Sequence, residues 1–142
     1  MSNIKKVAVV GTGVIGAGWI IRCLAHGKIV HAYDKNFKLK RNLLFEIKRT
    51  WPFVKKLFNK KKLDFKNFKY FTSLKEALND VDFVQECTPE NYSIKIKLIN
   101  SISKNIKKNI IISSSSSGLL PSKIFSKSLN PERGIIGHPF NP

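Results

Sequence analysis

The 142-residue sequence predicts an α/β fold with a doubly wound, mostly parallel sheet. Three observations carry that prediction. Apolar, β-branched runs of strand length recur along the chain, each is followed by a segment of helical periodicity, and the first such pair is joined by Gly11-Thr12-Gly13-Val14-Ile15-Gly16, a Gly-x-Gly-x-x-Gly turn. The length suits one domain with its own core over residues 1–142. No repeat period is visible.

Ile4 to Val10 has the composition of a buried strand, and residues 14–26 read as the helix that follows it, closed by Gly27. Between them each glycine has a physical task. Gly11 allows the tight turn out of the strand, Gly13 lets a pyrophosphate approach the backbone, and Gly16 lets the helix pack closely on the sheet. Thr12, Val14 and Ile15 share that phosphate-facing turn, where the free N–H groups and positive end of the helix dipole favour an anion. A second strand, Lys28 to Tyr33, delivers Asp34 about 20 residues beyond the glycines, as a dinucleotide fingerprint requires. A carboxylate there accepts hydrogen bonds from ribose hydroxyls and repels a 2′-phosphate, so the predicted cofactor is NAD rather than NADP. The competing reading is a glycine turn followed by an ordinary surface aspartate.

Asn36 or Asp34 is positioned to cap the next helix, in which Leu43, Leu44, Ile47 and Trp51 share one face. Pro52 either kinks its path or starts a second helix, and Phe53, Val54, Leu57 and Phe58 extend the amphipathic pattern over residues 53–63. Residues 35–69 carry 13 basic side chains. These form either a solvated helical face or contacts for the phosphates of a large substrate such as coenzyme A. Phe68 to Phe71 reads as a short strand. Ser73 caps a brief helix through Leu78, with Glu76 at the capping-box position. Val81 to Cys87 is the next buried strand, and Thr88-Pro89-Glu90 forms the loop at its carboxyl end, where doubly wound sheets bind ligands. A helix runs from Asn91 to Lys104 with Ile94, Leu98, Ile99, Ile102 and Ile106 on its apolar side. Asn109 to Ile112 is a strand, Ser113 to Ser117 a polar loop, Pro121 to about Ser126 a helix, and Gly134 to Gly137 the last strand.

Composition narrows the function. The net charge of +17 invites a nucleic-acid reading, but it comes from 22 lysines and only four arginines. Phosphate and base readers favour the arginine fork, and abundant Lys, Asn and Ile fit a nucleotide bias in the coding genome. Specific nucleic-acid recognition is therefore not expected, although nonspecific polyanion binding at low salt is. Cys23 and Cys87 lie in apolar segments and read as core residues of a reduced, cytoplasmic protein. No signal peptide or membrane-spanning run is present in the sequence, and no metal ligands are assigned. His26 and His31 read as structural.

Two polar features remain. The serine run follows an apolar strand and precedes a patterned helix, which argues against a flexible linker. Ser117 can both donate to and accept from a substrate hydroxyl. His138 follows the final strand between Gly137 and Pro139. Oxidising an alcohol by hydride transfer needs a base for the hydroxyl proton, and imidazole suits that role near neutral pH.

Together with the glycine turn, the segments Ser113–Leu120, Pro121-Ser122 and Gly137-His138-Pro139-Phe140-Asn141-Pro142 resemble the 3-hydroxyacyl-CoA dehydrogenase family across essentially the whole chain. With Gly16-Ala17-Gly18-Trp19 and Trp51-Pro52, they are similar to its L-carnitine dehydrogenase branch. The resemblance implies a Rossmann-like NAD-binding domain that helps oxidise a secondary 3-hydroxyl to a ketone, L-carnitine to 3-dehydrocarnitine first and a 3-hydroxyacyl-CoA second. It implies that Gly11, Gly13 and Gly16 hold the pyrophosphate and Asp34 the adenosine ribose, that Glu90 and Lys95 contact the nicotinamide side, that Ser117 binds the substrate oxygen and nicotinamide end, that Asn141 touches the cofactor, and that His138 is the general base. In the family a Glu beyond the His-x-Phe-Asn-Pro segment orients that base, and a helical C-terminal domain supplies most of the substrate pocket and the homodimer interface. Neither lies within these 142 residues. The expectation is thus a cofactor domain awaiting a helical partner, with a non-catalytic NAD-binding fragment or half of a split enzyme as the alternative.

Overall fold

The computed structural model describes residues 4–59 and 64–139. Six strands form one parallel sheet: β1 (Lys6–Val10), β2 (Ile29–Tyr33), β3 (Phe68–Phe71), β4 (Phe83–Glu86), β5 (Ile111–Ser114) and β6 (Gly134–Ile136), in the order β3-β2-β1-β4-β5-β6. The chain winds outward from β1 in both directions, so the β1/β4 boundary is the switch point at which a crevice opens beyond the carboxyl ends of the strands.

Alternation along β1 divides the core. Val7 and Val9 face α1 (Val14–Ala25) and α2 (Leu39–Leu57), while Ala8 and Val10 face the layer of α3 (Leu74–Ala77), α4 (Tyr92–Lys104) and α5 (Pro121–Ile124). Ile20, Leu43 and Ile47 are fully enclosed on the first face and Ile99, Ile102 and Ile124 on the second. Each such side chain contributes about 1.5–3 kcal/mol.

Helix α1 ends as its glycine requires. Gly27 adopts φ +70°, its N–H donates to Leu24 O at 2.9 Å, and the N–H of Lys28 donates to Cys23 O at 3.0 Å. That is a Schellman closure. Ser73 caps α3 by accepting from the Glu76 N–H.

Several expected boundaries move. Neither Asp34 nor Asn36 caps α2. They form successive Asx turns that lead into it, Asp34 accepting from the Asn36 N–H at 3.1 Å and Asn36 from the Lys38 N–H at 3.1 Å. No second helix begins at Pro52, because α2 passes through it and ends at Leu57; residues 60–63 of the expected extension lie outside the described residues. Ser113 and Ser114 belong to β5 and are buried, so the polar loop starts two residues later than the sequence suggests. The inward face of α4 is rotated from the expected one. Lys95, Ile99, Ile102 and Ser103 are buried, while Ile94 is exposed. His31 is structural as expected: it is buried against Phe71 with Nδ1 at 2.9 Å from Ala77 O.

Candidate functional site

The turn after β1 is shaped by its glycines. Gly11 adopts φ +96°, and a Cβ there would stand 2.8 Å from the Cys87 carbonyl. A Cβ on Gly16 would stand 1.9 Å from Gly11 O, so only glycine lets α1 rise this close to the turn. A Cβ on Gly13 would meet nothing within 4 Å, leaving that backbone open to a ligand. Gly13 is also the N-cap of α1, with no side-chain cap and no acidic residue in the first turn. The helix dipole and orphan N–H groups there are suited to an anion.

These residues form one wall of a cleft of about 680 Å³ at the carboxyl ends of β1, β2 and β4. Of the sequence-derived candidates, Gly11, Thr12, Gly13, Val14 and Ile15 line the cleft on the α1 side and Asp34 lies at the end of β2. Glu90, Ser117 and His138 line the opposite side. Asp34 Oδ2 accepts from both the N–H and the hydroxyl of Thr12, each at 3.2 Å, which ties the end of β2 to the glycine turn. Gly16 lies behind the turn as a packing residue. Asn141 falls outside the described residues.

Glu90 organises the serine loop. Its Oε1 accepts from the Ser116 hydroxyl at 2.6 Å and from the N–H groups of Ser117 and Gly118, both at 2.9 Å. Burial opposes its ionisation. The Ser116 hydroxyl, the Gly118 and Ser117 N–H groups and the Lys95 ammonium outweigh that effect and hold its pKa down at about 2. Ser117 is exposed and is presented to the cleft by a backbone anchored on Glu90. His138 Nδ1 lies 3.0 Å from Ser115 O. A carbonyl only accepts, so Nδ1 carries the proton and, in the neutral ring, the acceptor lone pair is on Nε2.

Lys95 does not fit a role in touching the cofactor. It is 1% exposed, and its ammonium donates to both Glu86 carboxylate oxygens, at 3.0 and 2.9 Å, and to Thr88 O at 3.0 Å. Three donors meet three acceptors behind the cleft wall, because Glu86 at the end of β4 is itself fully buried and needs a cation. Sequence reasoning missed Glu86. The available signal was an acid closing an otherwise apolar strand nine residues before a lysine. It also missed Gln85, whose Nε2 donates to Ser115 Oγ at 2.7 Å. Cys87 lines the cleft, but burial pushes its thiol up to about 12, which makes it no nucleophile at neutral pH. Among the described residues, no group of three or more potential metal ligands converges and no helix is long and apolar enough to cross a membrane.

A second, apolar groove of about 650 Å³ adjoins the cleft. It shares Val14, Ile15 and His138 with the cleft and is completed by Trp19, Arg22, Phe58 and Pro139, among others.

The strand order, the glycine turn and the acid ending β2 define a dinucleotide-binding domain of the Rossmann class. Residues 6–142 match the family described as 3-hydroxyacyl-CoA dehydrogenase, NAD binding domain, and the chain belongs to that family. L-carnitine dehydrogenases of a Pseudomonas species and of Staphylococcus epidermidis are each 39% identical to it, over 142 and 137 residues, covering 100% and 96% of this chain but 44% and 43% of theirs. The chain thus spans less than half the length of the curated relatives it matches. The 3-hydroxybutyryl-CoA dehydrogenase structure of Escherichia coli K12 superposes with a TM-score of 0.88 at 25% identity, over 99% of this chain and 30% of that one. The (S)-3-hydroxybutyryl-CoA dehydrogenase of Ralstonia eutropha does so with a TM-score of 0.88 at 26% identity, over 99% and 50%.

Proposed function

We propose that this chain is the cofactor half of an NAD-dependent dehydrogenase that oxidises a secondary 3-hydroxyl to a ketone, with L-carnitine, giving 3-dehydrocarnitine, as the substrate. One observation carries the reading: a single cleft gathers the open glycine turn, Asp34, Ser117 and the imidazole of His138.

The residues fit NAD. The uncapped α1 N-terminus beside Gly13 has room and positive potential for a pyrophosphate, and Asp34 offers carboxylate oxygen to ribose hydroxyls while disfavouring a 2′-phosphate. Bound there, NAD supplies the hydride acceptor. His138 takes the hydroxyl proton on Nε2, because Nδ1 is committed to Ser115 O. Ser117 orients the substrate oxygen from a backbone held by Glu90. The apolar groove beside His138 belongs to the substrate side, to be closed by a helical second domain or partner. Support for carnitine comes from the names of the two relatives described above, each 39% identical to this chain.

A second reading, a 3-hydroxyacyl-CoA substrate, is favoured by the exposed basic and aromatic surface at the start of α2. There Phe37, Lys38, Lys40, Arg41, Phe45 and Lys48 line a broad concavity suited to an anionic coenzyme A tail.

The test is NADH formation by the purified chain with NAD and either L-carnitine or 3-hydroxybutyryl-CoA, alone and with the helical half of an L-carnitine dehydrogenase. Carnitine-dependent turnover abolished by His138→Ala supports the reading. NAD binding without turnover under every condition makes the chain a non-catalytic cofactor module.

A further inference from the structure

The buried ion pair Glu86–Lys95 has no place in the chemistry described so far, yet it is the most enclosed charged group of the described residues. Its hydrogen bonds run to both sides of the cleft wall. On one side, Glu86 Oε1 accepts from the N–H and the hydroxyl of Thr88, while Lys95 holds Thr88 O at 3.0 Å, so the loop after β4 is gripped by donor and acceptor at one residue. On the other side, Glu86 Oε2 accepts from the Ser114 hydroxyl at 2.6 Å, and Ser114 Oγ in turn accepts from the Ser116 N–H at 3.3 Å. Residue 115 is thereby enclosed in a small turn whose two ends are bonded to each other, the Ser114 end being held by Glu86 and the Ser116 end by Glu90. Its N–H is fixed by Glu86 O at 2.8 Å, and its carbonyl is the acceptor for His138 Nδ1.

We propose that Glu86 and Lys95 are positioning residues for His138. Through the Ser114 hydroxyl they fix the turn of the serine loop, so that the Ser115 carbonyl holds the imidazole in its Nδ1–H tautomer with the acceptor lone pair on Nε2. This inference rests on the reading of His138 as the base, but its geometry is readable without turnover.

The experiment is nitrogen NMR of the His138 ring in the chain, scored beside NAD affinity by calorimetry and thermal melting. Ser114→Ala cuts the link while leaving the ion pair intact. The expected result is a fall of about fivefold in the ratio of Nδ1–H to Nε2–H tautomer, the size of one net hydrogen bond, with Ser114→Thr restoring it and the glycine-turn contribution to NAD affinity kept. The paired variant Glu86→Gln with Lys95→Met removes both buried charges together, avoiding an uncompensated ion, and is expected to shift the tautomer in the same direction. An unchanged tautomer ratio in either folded variant overturns the proposal. Failure of the wild-type chain to bind NAD, with the tautomer still responsive to Ser114→Ala, overturns the functional reading and leaves the positioning role standing.

Discussion

Glu90 illustrates how one carboxylate at the edge of a cleft can order a whole loop. It accepts three hydrogen bonds from consecutive residues of the serine segment, and its pKa falls from 4.5 to about 2. The folded state binds the proton more weakly than the unfolded one. The stabilisation is therefore complete above pH 4.5 and is lost as pH falls from 4.5 towards 2. Glu90→Gln is expected to flatten the pH dependence of the melting temperature in that window while lowering melting at neutral pH, as followed by circular dichroism. Gly16 gives a sharper prediction. The methyl group of Gly16→Ala would stand 1.9 Å from the Gly11 backbone oxygen, which cannot swing aside as a side chain could, so the glycine turn or the start of α1 must move. Expected outcomes are a destabilisation of about 1–3 kcal/mol, typical of overpacking, and loss of measurable NAD binding by calorimetry.

Elements in this fold are closed by local chemistry but aimed by their neighbours. The end of α1 is the clearest local case. At Gly27 a side chain would meet no atom within 4 Å, and φ is +70°, so Gly27→Ala isolates the cost of the left-handed conformation. That cost is about 1–2 kcal/mol, readable as a lower urea midpoint at unchanged slope. Helix α4 shows the opposite. Its sequence pattern puts Ile94 inward and Lys95 outward, yet Lys95 is buried and Ile94 lines the cleft beside the glycine turn. The reason is the carboxylate of Glu86 waiting at the end of β4, which a lysine satisfies and an isoleucine cannot. Lys95→Met alone strands that carboxylate and is expected to cost about 3–5 kcal/mol, more than the paired variant that removes both charges. Chemical denaturation of the two side by side checks this.

Across the whole molecule, charge and apolar surface are unevenly placed. The net charge of +17 is carried mostly by lysine, and the start of α2 combines basic residues with exposed Phe37 and Phe45. Any affinity for free coenzyme A at this face is expected to fall steeply as salt rises from 0.05 M to 0.5 M, about the range over which screening shortens from more than 10 Å to a few ångströms. NAD binding in the glycine cleft should change much less, and titration calorimetry at the two salt levels separates them. Val14 lines the groove that adjoins His138 and is exposed, which fits the expected apolar seam where a second domain would pack.

Much of this protein was legible from residue order. The strand–turn–helix entry, the three glycines, Asp34 after the second strand, the Ser73 cap and the Gly27 closure are local, because their chemistry is set by neighbours within a few positions and by backbone conformations only certain residues adopt. The cleft membership of Ser117 and His138 was legible as strand-end position, since every carboxyl strand end of a parallel sheet opens on the same side. The burial of Lys95, the role of Glu86 and the hold of Ser115 on His138 were decided by tertiary structure alone. Each depends on a polar group meeting a partner from another strand in a place without water. There the cost of an unpaired charge, rather than the hydrophobic period of the helix, chooses which residue turns inward.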